Sequence, residues 1–145
     1  MKTKSVFFYS IIALVFSACS NAQNSKEPWA ENQLMQPSEL AKILNDSAST
    51  KPILFSVFSG GIKNSIDLGP ASEKEGIENL KKQLSKLPKD TNIVIYCGCC
   101  PFKDCPNIRP AFKLLNEMKF TNHKLLNLSH NFKVDWIDKG YPMNE

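Results

Sequence analysis

Four of the five cysteines lie within nine residues of one another, and their types and spacing predict thiol chemistry. They are Cys97, Cys99, Cys100 and Cys105. A thiolate is both a strong nucleophile and a ligand for soft metals. The run Ile93–Tyr96 before them is short, β-branched and aromatic, which predicts a buried strand. Pro110 after them suits the first turn of a helix. The cysteines should therefore lie at the carboxyl end of a strand and beside a helix amino terminus, where an anion is stabilised.

Cys97 is the candidate nucleophile, because it comes directly after the predicted strand. Lys103, Arg109 and the helix amino terminus are candidate sources of positive charge for an anionic substrate. Cys105 is the rival, since it lies four residues before Arg109 and nearest the helix start. It would be either the nucleophile itself or a resolving thiol that attacks a modified Cys97.

Two other uses of the same thiols stay open at this stage. A metal site would draw on Cys97, Cys99, Cys100 and Cys105, and four thiolates suit tetrahedral zinc or another soft metal. A disulfide inside the loop would join Cys99 or Cys100 to Cys105, with a regulatory or structural role. The two histidines have no metal-ligand spacing, so His123 and His130 are expected to be surface or capping residues.

The amino-terminal segment predicts export. Residues 1–18 combine Lys2 and Lys4 with an apolar stretch too short to span a bilayer, followed by small residues. Phe16-Ser17-Ala18-Cys19 resembles a bacterial lipobox, which implies that Cys19 is acylated and becomes the mature amino terminus. The alternative is a plain signal peptide with Cys19 incidental. Residues 19–33 are then expected to form a flexible tether, and residues 34–145 the folded domain.

This organisation predicts a membrane-anchored lipoprotein on the periplasmic or cell-surface side, in a compartment where disulfides can form. The chain has 145 residues, enough for one domain with a hydrophobic core. Without Lys2 and Lys4, 16 basic residues face 14 acidic ones, a net charge of +2. That charge is too small to indicate a nucleic-acid partner.

Helical and strand patterns alternate along the domain. Helices are expected over residues 37–44, 72–87, 109–120 and from Asn131 to a stop at Gly140, with capping serines at 38 and 72. Strands are expected over residues 53–58, 92–97 and 124–128, and residues 62–70 as a loop that docks apolar side chains on the sheet. Trp136 is expected in the core. This alternation predicts a single α/β domain with a doubly wound parallel sheet flanked by helices.

Several landmarks together resemble the rhodanese-like family of single-domain sulfurtransferases. They are Pro37-Ser-Glu-Leu-Ala, Gly61-Ile-Lys-Asn-Ser-Ile-Asp-Leu68, Val94-Ile-Tyr-Cys97 and Trp136-Ile-Asp-Lys-Gly-Tyr-Pro142, in the family's order. The resemblance implies a rhodanese-like fold and sulfane-sulfur transfer through a persulfide on Cys97. It also implies a small sulfur donor, a thiol or other nucleophilic acceptor, and no cofactor.

Two segments depart from the family pattern. Ser56-Val57-Phe58 stands where the family has Asp-Val-Arg, and Arg109 lies twelve positions after Cys97, much farther than the family's arginine. The intervening loop carries Pro101 and Pro106, which have no N–H to donate to a persulfide. The competing hypothesis is therefore a non-catalytic rhodanese-fold module whose cysteine-rich loop binds metal or exchanges thiols with a partner.

Overall fold

The structure, a computed structural model, describes residues 27–145. Its five short strands are Leu34–Met35 (β1), Ile53–Ser56 (β2), Ile66–Asp67 (β3), Ile93–Tyr96 (β4) and His123–Leu126 (β5). They form one sheet in the order β1-β5-β4-β2-β3, and every pairing is parallel. β4 is central, paired with β2 through Ser56 and Tyr96 and with β5 through Ile95 and Leu125. All the carboxyl ends therefore lie at one edge.

Helices cover both faces of the sheet. The α-helices are Pro37–Asn45 (α1), Lys74–Leu84 (α2), Ile108–Glu117 (α3) and Phe132–Asp135 (α4), and the 3-10 helices are Glu31–Gln33 and Ile137–Lys139. α2 and α3 pack on one face with Ile93 and Ile95, while α1 and α4 pack on the other with Val94 and Tyr96. Successive strand residues point to opposite faces, so all four residues of β4 are buried. The predicted doubly wound parallel α/β architecture is confirmed.

The termini of several elements differ from the sequence prediction. α2 begins at Lys74 with no side-chain cap and ends at Leu84, so Ser72 does not cap it. α1 is preceded by Gln36, and the predicted serine cap at 38 falls inside the helix. α3 runs from Ile108 to Glu117, shorter than predicted at its carboxyl end. Part of the predicted 62–70 loop forms β3, a two-residue edge strand. Local patterns locate these elements but not the turn at which each begins or ends.

Two end signals in the last helical segment are confirmed. The Asn131 side chain accepts a hydrogen bond from the Val134 N–H and caps α4. Gly140 has φ of 68° and ends the following 3-10 helix in the left-handed conformation that glycine adopts freely. Trp136, between the two helices, is fully buried as predicted.

The segment predicted as tether is part of the fold from residue 27 onward. Trp29 is only 8% exposed, with its ring 5.8 Å from that of Phe102 and 5.7 Å from that of Phe112. Residues 31–33 form a 3-10 helix leading into β1. Residues 27–33 of the predicted tether therefore pack on the domain, because an aromatic anchor holds them to the core. Residues 1–26, with the predicted leader and Cys19, lie outside the described residues.

Candidate functional site: a thiol cluster at the sheet edge

The loop between β4 and α3 is held by its neighbours at the carboxyl edge of the sheet. The Gly98 N–H donates to the Ser59 carbonyl at 2.7 Å, and the Phe102 N–H donates to the Leu128 carbonyl at 3.0 Å. Ser59 follows β2 and Leu128 follows β5, so the segments after both strands beside β4 hold the loop in place. Crevices at this edge, where the chain enters helices on both faces, are the usual ligand sites of doubly wound sheets.

Four thiols converge in this loop. The Cys99 Sγ lies 3.1 Å from that of Cys97, 2.9 Å from that of Cys100 and 3.7 Å from that of Cys105. The sulfurs of Cys97, Cys99 and Cys105 all lie within 4.8 Å of one another. All four cysteines are free thiols in this structure, and the alternative of a loop disulfide is not formed in it.

The thiols differ in their access to solvent. Cys97 is 2% exposed and Cys105 is fully buried, whereas Cys99 is exposed and Cys100 half-buried. Cys97 is buried because β4, the central strand, delivers it directly into the packed layer beneath α3. An incoming reagent therefore meets Cys99 first.

The proton arrangement favours a negative charge on Cys105. A hydrogen bond from the Cys97 thiol, helped by the backbone N–H groups of Asn107 and Ile108, lowers the pKa of Cys105 to about 5. The same hydrogen bond to Cys105, followed by burial, raises the pKa of Cys97. Burial raises the pKa of Cys100 to about 12. Cys105 receives the amides because it lies where α3 begins, at the positive end of the helix dipole.

Arg109 and Lys103 contact other groups in this structure. The Arg109 guanidinium donates to Glu27 Oε1 at 2.6 Å and to the Lys103 carbonyl, and it lies 5.7 Å from the Trp29 ring. Lys103 is exposed, with its Nζ 5.9 Å from the centroid of the Phe102 ring. Within residues 27–145, neither cation donates a hydrogen bond to a cysteine sulfur. The donors that contact sulfur include the backbone N–H groups of Asn107 and Ile108 and the side-chain amide of Asn107.

Asn107 is a site residue that sequence reasoning missed. It is 4% exposed, its Nδ2 lies 3.7 Å from the Cys97 Sγ, and its Oδ1 accepts a hydrogen bond from the Ser72 N–H at 2.9 Å. Its side chain thus joins the thiol cluster to the chain before α2. The sequence signal for Asn107 is its position just before the predicted helix, and that position predicts only a helix cap. The Asn107 side chain does not cap α3 in the structure.

The two histidines have different environments. His130 is exposed, as predicted, and its Nδ1 lies 3.0 Å from Asp135 Oδ1. His123 is 5% exposed, so the expectation of a surface or capping residue is wrong for it. Its ring packs 4.6 Å from that of Phe112, and its Nε2 lies 2.9 Å from Asn116 Oδ1. His123 begins β5, and Phe112 and Asn116 of α3 lie against its ring.

A cavity of about 640 Å³ lies beside the thiol loop. Its lining includes Trp29, Phe102, Lys103, Asn127 and Ser129. None of the four described cysteines lines it. The wall of this cavity therefore contains no thiol, and Cys99 is the most exposed of the four.

In the described part of the chain, no helix has the length and apolar character needed to cross a bilayer.

Comparison with known proteins supports the fold alone. No protein-family model matches the chain, and no curated protein matches it. Among solved structures, a variant of EanB in complex with hercynine is 22% identical with a TM-score of 0.53, and wild-type EanB is 20% identical with a TM-score of 0.52. Each alignment covers 78% of this chain but only 27% of the EanB chain. This chain is thus similar in fold to about a quarter of EanB.

Proposed function

We propose that this protein is a rhodanese-like sulfurtransferase that carries sulfane sulfur as a cysteine persulfide. The observation that carries the proposal is the convergence of three sulfurs, those of Cys97, Cys99 and Cys105, within 4.8 Å at the carboxyl end of the central strand. The edge of a parallel sheet beside a helix amino terminus suits chemistry on an anionic sulfur.

The proposal assigns the persulfide to Cys105. Its sulfur faces the N–H groups of Asn107 and Ile108 at the start of α3, and the Cys97 thiol donates to it. Amide donors that favour a thiolate also favour a persulfide anion, which carries the same charge one atom farther out. This differs from the sequence-based assignment to Cys97, whose buried thiol is instead the proton donor to Cys105.

The reaction balances with an anionic donor such as thiosulfate. The attacking cysteine thiolate forms a bond to the outer sulfur, the S–S bond of thiosulfate breaks, and sulfite leaves with the bonding pair. An acceptor thiolate then attacks the outer sulfur of the persulfide, leaves as its own persulfide and restores the cysteine thiolate. No external oxidant or reductant is consumed.

Cys99 is the entry point in this proposal. It is exposed and lies 3.7 Å from Cys105, so it can take the sulfur from the donor and pass it inward. In that step the Cys105 thiolate attacks the outer sulfur of the Cys99 persulfide, and Cys99 leaves as a thiolate. The relay explains how a buried thiol exchanges sulfur with a reagent in solution.

Intact-mass analysis after thiosulfate treatment tests the proposal. The metal-free full chain should gain 32 Da, about one sulfur atom, and tryptic peptides should place it on Cys105. In Cys105→Ser the sulfur should stay on the peptide that holds Cys99, Cys99→Ser should load at least about tenfold more slowly, and Cys100→Ser is the matched control that should load normally. A chain that gains no sulfur from thiosulfate or from polysulfide would contradict the proposal.

Export and anchoring complete the proposed function. We propose that residues 1–18 are a signal peptide and that Cys19 is acylated, which holds the domain at the periplasmic or cell-surface side of a membrane. The support is the basic start, the short apolar stretch and the lipobox-like Phe16–Cys19 segment. The partners are then a small sulfur donor, a nucleophilic acceptor and the lipid surface, with no nucleic acid.

A further inference from the structure

The three converging sulfurs also have the dimensions of a metal site. Their separations include 3.1 Å for Cys97–Cys99 and 3.7 Å for Cys99–Cys105, and none exceeds 4.8 Å. Three sulfurs each about 2.3 Å from one ion in a trigonal plane stand about 4.0 Å apart. Shifts of about 1 Å or less, within the reach of side-chain torsions, would bring these three to that geometry.

The donor set selects the kind of ion. Within the described residues, no histidine or carboxylate belongs to the group, and all three donors are sulfur. Cys100 lies 2.9 Å from Cys99 but is not among the three mutually close thiols. Thiolate sulfur selects Cu(I), zinc and iron–sulfur clusters, and structural zinc and iron–sulfur clusters each need a fourth protein ligand. We infer that Cys97, Cys99 and Cys105 form a three-thiolate site for Cu(I), with Cys100 outside it.

The surroundings supply both rigidity and access. Backbone hydrogen bonds from Gly98 and Phe102 hold the loop, so little ordering remains for the ion to impose. Cys99 is exposed and provides the entry, while the other two ligands are buried and exclude water. Binding releases the thiol protons and leaves a net charge of −2 on three thiolates and one Cu⁺, which the amides at the start of α3 partly offset.

This site goes beyond sulfur transfer and does not depend on it. It uses the sulfurs that the proposed persulfide chemistry requires, so the two occupants exclude each other. Metal-free protein would be the form that takes sulfur. Copper binding is measured with no sulfur donor present, and sulfur loading is measured with a metal chelator present. The two experiments are therefore independent, and either proposal can be contradicted while the other stands.

Anaerobic titration with Cu(I) against a chromogenic Cu(I) chelator tests the inference. The full chain is purified in detergent with Cys19→Ser as a common background, so that only the four loop cysteines contribute thiols. One equivalent of Cu(I) should bind. Cys97→Ser, Cys99→Ser and Cys105→Ser should each weaken the affinity for Cu(I) by more than about 100-fold. Losing a residue that only hydrogen-bonds a metal ligand costs about 10–100-fold, so a larger loss identifies a ligand. Cys100→Ser, the matched control, should change it by less than about tenfold.

Copper X-ray absorption on the loaded background protein gives a second measurement that needs no ligand variant. Three sulfur neighbours at about 2.3 Å are expected. Two or four sulfur neighbours would overturn the inference, as would substoichiometric binding or an affinity that survives loss of any of the three ligands. A loss with Cys100→Ser as large as with the others would assign a four-thiolate site and would also overturn it.

Discussion

Gly98 separates the first two cysteines of the loop and lies against the chain that follows β2. A Cβ placed at residue 98 would lie 2.5 Å from the Ser59 carbonyl oxygen, which already accepts the Gly98 N–H. Backbone cannot yield as a side-chain end does, so Gly98→Ala should displace Cys99 from its two buried neighbours. We expect the free energy of unfolding to fall by about 1–3 kcal/mol in urea titrations, and sulfur loading to slow.

Gly61→Ala is the matched control for that change. Its Cβ would meet only the terminal Cε of Met143, at 3.0 Å, and this methyl group belongs to a flexible, partly exposed side chain. The free energy of unfolding should therefore change by no more than about 0.5 kcal/mol. Equal losses for the two alanine variants would show that the contact with Ser59 does not position the loop.

Two substitutions at Asn107 separate the effect of its contact with the Cys97 thiol from the effect of its hydrogen bond with Ser72. Asn107→Asp keeps an oxygen to accept the Ser72 N–H but replaces the amide 3.7 Å from the Cys97 sulfur with a carboxylate. Asn107→Ala loses both contacts, at a cost of about 1–3 kcal/mol in unfolding free energy. The aspartate variant should be the more stable of the two yet load sulfur at least about tenfold more slowly than wild type, since like charges repel. Parallel urea titrations and loading time courses measure the difference, and an aspartate variant that loads at the wild-type rate would contradict it.

At the scale of elements, β5 carries a buried group that titrates. Burial lowers the pKa of His123, so the unfolded chain, with an ordinary value of about 6.5, takes up the proton first. The free energy of unfolding should fall as the pH drops below about 6.5 and should level off, for this group, below the lowered pKa of the folded state. His123→Gln should flatten this dependence between pH 8 and 5.5 in denaturation curves. An unchanged slope would assign the dependence to other groups.

The sequence predicts some elements and contacts far better than others, for physical reasons that particular residues show. β4 and the helix after it are predictable, because a β-branched run and a proline at a helix start are local signals. β3 is not, since its two residues, Ile66 and Asp67, are exposed and pair only at one edge. For the thiols the sequence leaves two candidates, Cys97 at the strand end and Cys105 nearest the helix start. The lowered pKa of Cys105 depends on which sulfur faces the amides of α3, and that is decided by how the whole loop folds back.

At the scale of the whole molecule, the segment before β1 closes the face that α2 and α3 form. Trp29 contacts Phe102 of the thiol loop and Phe112 of α3, and both residues are distant from it in sequence. Such contacts cannot be read from the local sequence, which is polar and therefore predicted a tether. Trp29→Ala should lower the free energy of unfolding by about 3–5 kcal/mol. Glu27→Gln, which weakens a partly exposed ion pair with Arg109, should cost about 1 kcal/mol or less. Urea titrations of both variants compare them, and similar losses would show that Trp29 is not the anchor.

Exclusion between copper and sulfur should be visible in the stability of the whole domain. A ligand that binds only the folded state raises its stability by RT ln(1 + [L]/Kd), about 2.7 kcal/mol at a free concentration of 100 Kd. In the Cys19→Ser background, Cu(I) should therefore raise the melting temperature, and Cys100→Ser should keep that rise whereas Cys99→Ser should lose it. Protein loaded with one sulfur beforehand should show no rise, because a persulfide occupies one of the three ligands. A sulfur-loaded chain that still gains full copper stabilisation would mean that the two reactions use different thiols.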